Sequence, residues 1–267
     1  MLQSKQFECD HLELSYVQGP QNGPPLVLLH GLSDRWQGYY PLIPFLYPYY
    51  TLYALDLRGH GSSGRGEGYK IVDYAHDIQI FLRQNFAEPV SLVGHSLGAA
   101  VSLFTAAQNP SLIKSITLID PFIFKDKLED KEFCKYFKDC FKAITENADT
   151  EGILNSIKET GALAKKRAID LFRLDKKTIM AVLDKIVFDG FNLEELLSRT
   201  ICPVLVIRGN PVLEGHLTAE KADYLKDRLG KCVLEYLDKS SHVVHIDQTM
   251  ETAQRILNFL TSVYDAC

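Results

Sequence analysis

The stretch SLVGHSLGAAVSLF, residues 91–104, holds one serine boxed between glycines. An apolar run leads into Ser96, and a small, apolar run leads out of it. Gly94 and Gly98 stand two positions away on either side. Where a strand turns straight into a helix, side chains two before and two after the turn residue collide, so glycine is required there. The serine then projects at a helix start, where free N–H groups and the helix dipole favour a developing negative charge. This G-x-S-x-G pattern, set between a strand and a helix, reads as a nucleophile elbow with Ser96 at its tip.

On both sides of this stretch, short apolar runs recur at 25–31, 51–57, 90–94, 115–120, 202–209 and 232–238. Most are near-continuous in Val, Leu and Ile, as parallel strands covered on both faces are. Residues 11–17 (HLELSYV) alternate and read as an antiparallel edge strand. Helical patterns at about 70–85, 96–108, 217–229 and 248–264 separate the runs. Such alternation predicts an α/β, mostly parallel, doubly wound sheet. Residues 122–199 break it, with helical segments near 150–173, 176–187 and 193–199. Within KLEDKEFCKYFKDCFKAI, Phe133, Phe137 and Phe141 fall four apart on one helix face. A helical block between two strands reads as a cap over the sheet's carboxyl edge, where such sheets bind ligands. The expected division is a core of 1–121 and 200–267 with a cap of 122–199.

Composition bounds the function. The chain has 267 residues, 46% hydrophobic and 24% charged, with a formal charge of −5. That balance leaves no broad basic field for nucleic acid or anionic lipid. No apolar run reaches the roughly 18 residues of a membrane span. The first residues lack a signal pattern, so a cytoplasmic protein is expected. Six scattered cysteines (Cys9, Cys134, Cys140, Cys202, Cys232 and Cys267) form no CxxC pair, so neither a metal site nor a disulfide framework is expected. Cys202 and Cys232 begin apolar runs and read as buried packing residues. The glycines make no phosphate-binding loop, and no cofactor is implied. Oligomeric state is not encoded in any readable pattern.

The sequence resembles the α/β-hydrolase fold superfamily over nearly its whole length. LLHGLSDRW (28–36) is similar to the superfamily's His-Gly loop. DLRGHGSSG (56–64) is similar to the loop after its next strand, GHSLG (94–98) to its elbow, and SHVVHID (241–247) to its late histidine loop. The resemblance implies the α/β-hydrolase fold, with a helical cap inserted after strand 6. It implies Ser96 as nucleophile, His242 as general base, and the N–H groups of Leu32 and Leu97 as an oxyanion hole. His30, His245, Asp56, Arg58 and His60 read as structural. Ser241 stands where the superfamily usually has glycine.

The acid is the departure. A base histidine needs a partner on its second nitrogen. The superfamily's usual place is the loop after CPVLVIRG, which here continues NPVLEGHL without an aspartate. Asp120, at the end of the preceding strand in TLIDPF, is the first choice; Glu214 and Asn210 are alternatives. Trp36, Phe122, Phe137 and Phe141 are candidate pocket lining. The expected activity is a serine hydrolase cleaving a small, mostly apolar ester, thioester or lactone through an acyl-enzyme. The resemblance also admits a C–C bond hydrolase or lyase, or a ligand-binding member with weak hydrolysis.

Overall fold

The computed structural model describes residues 2–157 and 160–265. Eight strands lie in one sheet: β1 (Gln3–Cys9), β2 (Leu12–Gln18), β3 (Pro25–Leu29), β4 (Thr51–Leu55), β5 (Val90–His95), β6 (Ile113–Ile119), β7 (Val204–Arg208) and β8 (Cys232–Tyr236). Their order is β1-β2-β4-β3-β5-β6-β7-β8. From β4 to β8 every pairing is parallel, and β2 runs antiparallel to both β1 and β4. The apolar runs become central strands because both faces are covered: Leu26 through Leu29 are wholly buried. The alternating 11–17 stretch is not the edge expected of it. It lies inside β1, whose residues are mostly exposed and so leave no apolar signature.

Helices α1 (Ile43–Leu46), α2 (Ile71–Asn85) and α3 (Leu97–Gln108) accompany the first strands. Helices α4 (Lys131–Glu146), α5 (Thr150–Ser156), α6 (Gly161–Phe172), α7 (Lys176–Leu183) and α8 (Leu193–Arg199) follow β6, and α9 (Ala219–Arg228), α10 (Val244–Asp247) and α11 (Thr249–Asp265) complete the chain. Between Phe122 and Thr200 no strand occurs among the described residues. The 150–173 segment, expected as one helix, is two. Gly161 sits at φ +73°, which interrupts the α-helical path, and residues 158 and 159 lie outside the described residues. The 176–187 helix stops early because Lys185 takes the left-handed conformation. One buried cluster joins the sheet to α2, α3, α9 and the helical block, and a second joins the other face to α1 and α11. Cys9, Cys140 and Cys202 are buried, Cys134 and Cys232 are partly buried, and all five are free thiols; Cys267 lies outside the described residues. No helix among the described residues is long and apolar enough to cross a membrane.

Strand register brings the motif residues together. Leu29 pairs with Gly94, and His95 pairs with Ile119. The residues just past these pairs (His30 and Gly31, Ser96, Asp120) therefore meet at one carboxyl edge. The approach is tight: a Cβ at Gly98 would overlap the Leu29 carbonyl, and one at Gly94 would overlap the Gly98 carbonyl. Gly98→Ala is expected to lower stability by about 2–4 kcal/mol, because backbone rather than a movable side chain must give way. Urea unfolding measures it; a loss below about 1 kcal/mol would mean the strands are less tightly apposed.

Candidate active site

Ser96 sits at φ 51° and ψ −112°, a conformation that non-glycine residues avoid and that costs on the order of 1–3 kcal/mol. The surroundings hold it there. Its N–H donates to the Ile119 carbonyl at 3.0 Å, and its own carbonyl accepts the Phe122 N–H at 3.1 Å. Leu97 then opens α3, where N–H groups have no carbonyl four residues back to bond. The Gly31–Leu32 turn stands beside the serine, since a Cβ at Gly31 would come within 3.2 Å of Ser96 Cβ.

Asp120 is fully buried, also at positive φ (39°). Its Oδ2 lies 2.6 Å from His242 Nδ1 and accepts the His216 N–H at 2.7 Å, while Oδ1 accepts the Gly209 N–H at 3.3 Å. The alternative acids face elsewhere. Asn210 accepts the Val212 N–H and donates to the Asp238 carbonyl, closing a turn. Glu214 is exposed in a left-handed conformation and lines an open cleft with Val212, Ser241 and Asp247. Ser241 ties the histidine loop to α10, its N–H and Oγ both donating to Asp247.

Three further histidines surround His242. His216 stacks on it with centroids 3.5 Å apart and planes 19° apart. His95 packs 4.7 Å from it and its Nε2 donates to the His242 carbonyl at 3.0 Å, and His245 packs on His95. Burial, reinforced by the neighbouring imidazoles, pushes His95 and His216 well below the usual histidine range. Burial likewise lowers His245, to about 4. The three are thus uncharged at neutral pH, and His242 is the one joined to a carboxylate. His95 and His216 carry no motif that marks them in the sequence. Their one signal there is placement, His95 inside the elbow and His216 in the loop that lacks its acid. Asp120, His216 and His242 bring ligand atoms within 4.8 Å of one another. The stacked rings direct their lone pairs along nearly parallel planes, which does not converge on a tetrahedral ion.

The 30–35 loop is braced from behind. His30 Nε2 accepts the Leu57 N–H and its Nδ1 donates to the Gly31 carbonyl; His60 Nε2 accepts the Ser33 N–H and its Nδ1 donates to the Arg58 carbonyl. Asp56 accepts the N–H groups of Trp36 and Ser62. Burial lowers His30 to about 4 and His60 to about 3, keeping both neutral, as accepting nitrogens must be.

From the helical block, Phe122 and Phe137 are buried and Phe133 and Phe141 partly so. Phe133 joins Phe122, Phe137 and His216 into one aromatic run that ends on His242. Trp36 does not belong to it; it packs on Tyr40 and against the core of the opposite sheet face. At the foot of the block, Lys166 bridges Asp34 and Asp170, and Asp170 also accepts Arg35 Nε.

Known proteins share this fold. Residues 24–142 match the family model described as the alpha/beta hydrolase fold. The chain has the α/β-hydrolase fold. It is 39% identical to the 2-(acetamidomethylene)succinate hydrolase of Mesorhizobium japonicum over 132 residues, 48% of this chain and 47% of that protein, so the matched region spans less than half of that relative's length. It is 26% identical to monoacylglycerol lipase abhd6-B of Xenopus laevis across 91% of this chain and 77% of that one. Its fold superposes on carboxylesterase CesB of Bacillus subtilis with a TM-score of 0.80 at 18% identity, covering 97% and 92% of the two chains.

The buried neutral histidines make stability depend on pH. Their folded pKa values lie below the ordinary 6.5. Above 6.5 their contribution is complete. As pH falls from 6.5 toward about 4 for His30, and about 3 for His60, the unfolded chain takes up protons that the folded chain refuses, and stability drops. Melting temperature is expected to decline steadily over that window. His60→Gln, which keeps an acceptor for the Ser33 N–H, should flatten the decline; an unchanged slope would show that His60 is not among its causes.

Proposed function

We propose that the chain is a serine hydrolase of small carboxylic esters, thioesters or lactones, with residues 122–199 as a cap on a core of 1–121 and 200–267. The observation that carries this reading is the 2.6 Å contact of buried Asp120 with His242 Nδ1, at the edge where Ser96 is held in a strained turn. A carboxylate there fixes the tautomer with the proton on Nδ1, leaves Nε2 free as base, and steadies the imidazolium that forms. Ser96 Oγ attacks the carbonyl carbon as His242 Nε2 takes its proton. The carbonyl oxygen becomes an oxyanion held by the N–H groups of Leu32 and Leu97. Collapse expels the alcohol or thiol with that proton and leaves an acyl-serine. Water, deprotonated by the same nitrogen, then releases the acid and restores Ser96.

The names of the relatives support hydrolysis: one acts on 2-(acetamidomethylene)succinate, one is a monoacylglycerol lipase and one a carboxylesterase. The phenylalanines of the helical block support an apolar wall for the substrate. A fluorophosphonate probe should add once to the wild type and not to Ser96→Ala, as read by intact mass. Asp120→Asn should cut kcat on 4-nitrophenyl butyrate by about 10⁴-fold, whereas Asn210→Ala and Glu214→Gln should change it less than about threefold, their side chains facing away from His242. Folded wild type that neither labels nor turns over esters, yet is strongly stabilised by a small ligand, would make this a binding protein instead.

A further inference from the structure

Five charged side chains meet where α6 touches the 33–35 loop. Two are carboxylates, Asp34 and Asp170, and three are cations, Arg35, Lys166 and Arg167. Lys166 Nζ lies 2.5 Å from Asp34 and 2.6 Å from Asp170, and Arg35 Nε lies 2.6 Å from Asp170. Arg167 is the cation left over. Its Nη1 donates to the Ser33 carbonyl and Oγ at 2.9 and 3.0 Å, its Nη2 to the Cys140 sulfur at 3.2 Å, and the Tyr136 ring lies 5.1 Å away. Its Nε is buried and makes no hydrogen bond. Among the described residues no carboxylate forms an ion pair with it.

Arg167 is partly buried with its Nε enclosed, and a cation drawn even partly out of water without an ion-pair partner carries a desolvation cost. Neutral groups alone do not repay that cost, and a thiol is a weak acceptor. A clamp on the Ser33 carbonyl needs only a hydrogen-bond donor, which an uncharged side chain supplies without the penalty. The charge itself calls for an anion from outside the chain. Arg167's position says which one. Through Ser33, whose Oγ donates to the Leu32 carbonyl at 2.6 Å, it abuts the turn beside Ser96. Through Cys140, one helical turn from Phe137, it abuts the aromatic run that ends on His242.

We infer that Arg167 binds a carboxylate carried by the substrate, so that the enzyme prefers acidic esters over neutral ones of the same shape. The inference rests on the hydrolase reading and names its substrate class. Guanidinium presents a planar fork that matches a carboxylate in two parallel hydrogen bonds. The unbonded Nε–H and the weak Nη2–thiol contact are what that carboxylate would replace. Asp34 and Asp170 are ion-paired with Lys166 and Arg35, and Asp170 reaches Arg167 only through space, so the Arg167 fork is left without a carboxylate hydrogen-bonded to it.

The test uses two matched pairs of esters: 4-nitrophenyl hemisuccinate against 4-nitrophenyl valerate, with the charge on the acyl side, and 4-acetoxybenzoate against 4-methylphenyl acetate, with the charge on the leaving group. Wild type should favour the acidic member of at least one pair by about tenfold or more in kcat/KM, about one bidentate contact's worth. Arg167→Met should reduce that acidic-to-neutral ratio about tenfold, to near one or below, and Arg167→Lys should fall between. Neutral preference in both pairs, or a ratio untouched by Arg167→Met, overturns the inference. Should Arg167→Met fail to fold, wild type decides: succinate should slow fluorophosphonate labelling of Ser96 at about one-tenth the concentration that succinamide needs, and equal protection overturns it. Labelling itself separates the two readings. A labelled Ser96 without acid preference removes this inference alone, and an unlabelled Ser96 removes the hydrolase reading and this inference with it.

Discussion

The near-contact of three backbones where β3, β5 and α3 meet governs the geometry of the site. The Leu29 carbonyl occupies the space a side chain at Gly98 would need, and the Gly98 carbonyl occupies that of Gly94. With the strands this close, the chain leaving β5 has no room for an ordinary turn, and Ser96 is driven to positive φ. The strain is local; its cost is carried by the buried strands and by α3, whose residues are almost all excluded from solvent. Because Ser96 N–H bonds the Ile119 carbonyl, the elbow is also tied to the next strand and so to Asp120. Ser96 and Asp120 are thereby set by a single stretch of sheet register rather than by flexible loops.

With Asp120 buried at the end of β6, the loop after β7 has a carboxylate to satisfy. A buried carboxylate is costly unless its lone pairs are filled. That loop fills them with two backbone donors, Gly209 and His216, while His242 supplies a third group. Asn210 is used up in closing the loop's own turn, and Glu214 points to solvent. The same loop lays the His216 ring flat on His242. A neutral, partly buried imidazole held against the face of His242 limits its tilt, so Nδ1 stays on Asp120. His95 acts by holding the backbone carbonyl of His242.

Whether a feature is legible in the sequence turns on how local its cause is. The central strands and the elbow are local patterns of apolar residues and glycine, so they can be read directly. β1 cannot, since its mostly exposed residues carry no period. The break at Gly161 is hidden because apolar periodicity continues across it. In sequence Asp120 ranks ahead of Asn210 and Glu214, but its contact with His242 cannot be read there, because it turns on where β6 and β7 end relative to each other. Asp120 N–H bonding the Ile207 carbonyl is a fact of register with no local signature. His216 and Arg167 are harder still. Their importance arises only once a loop or a helix has docked, and in sequence each is one polar residue among many.

The ion cluster under α6 bears on why a helical block is carried here at all. Buried salt bridges seldom add much net stability, because desolvation offsets the attraction between the charges. Their effect is to penalise misalignment: a displaced α6 would strand Asp34, Asp170, Arg35 and Lys166 without partners, a far larger cost than the pairing returns. The block therefore has one well-defined seating on the 33–35 loop. That loop is also fixed from beneath by neutral His30 and His60. The turn at Leu32 is held between these two supports, so the geometry facing Ser96 is sensitive to how α6 sits. A ligand group reaching Arg167 touches that seating directly, and in this way selection of the substrate and alignment of the groups that act on it are carried by the same few residues.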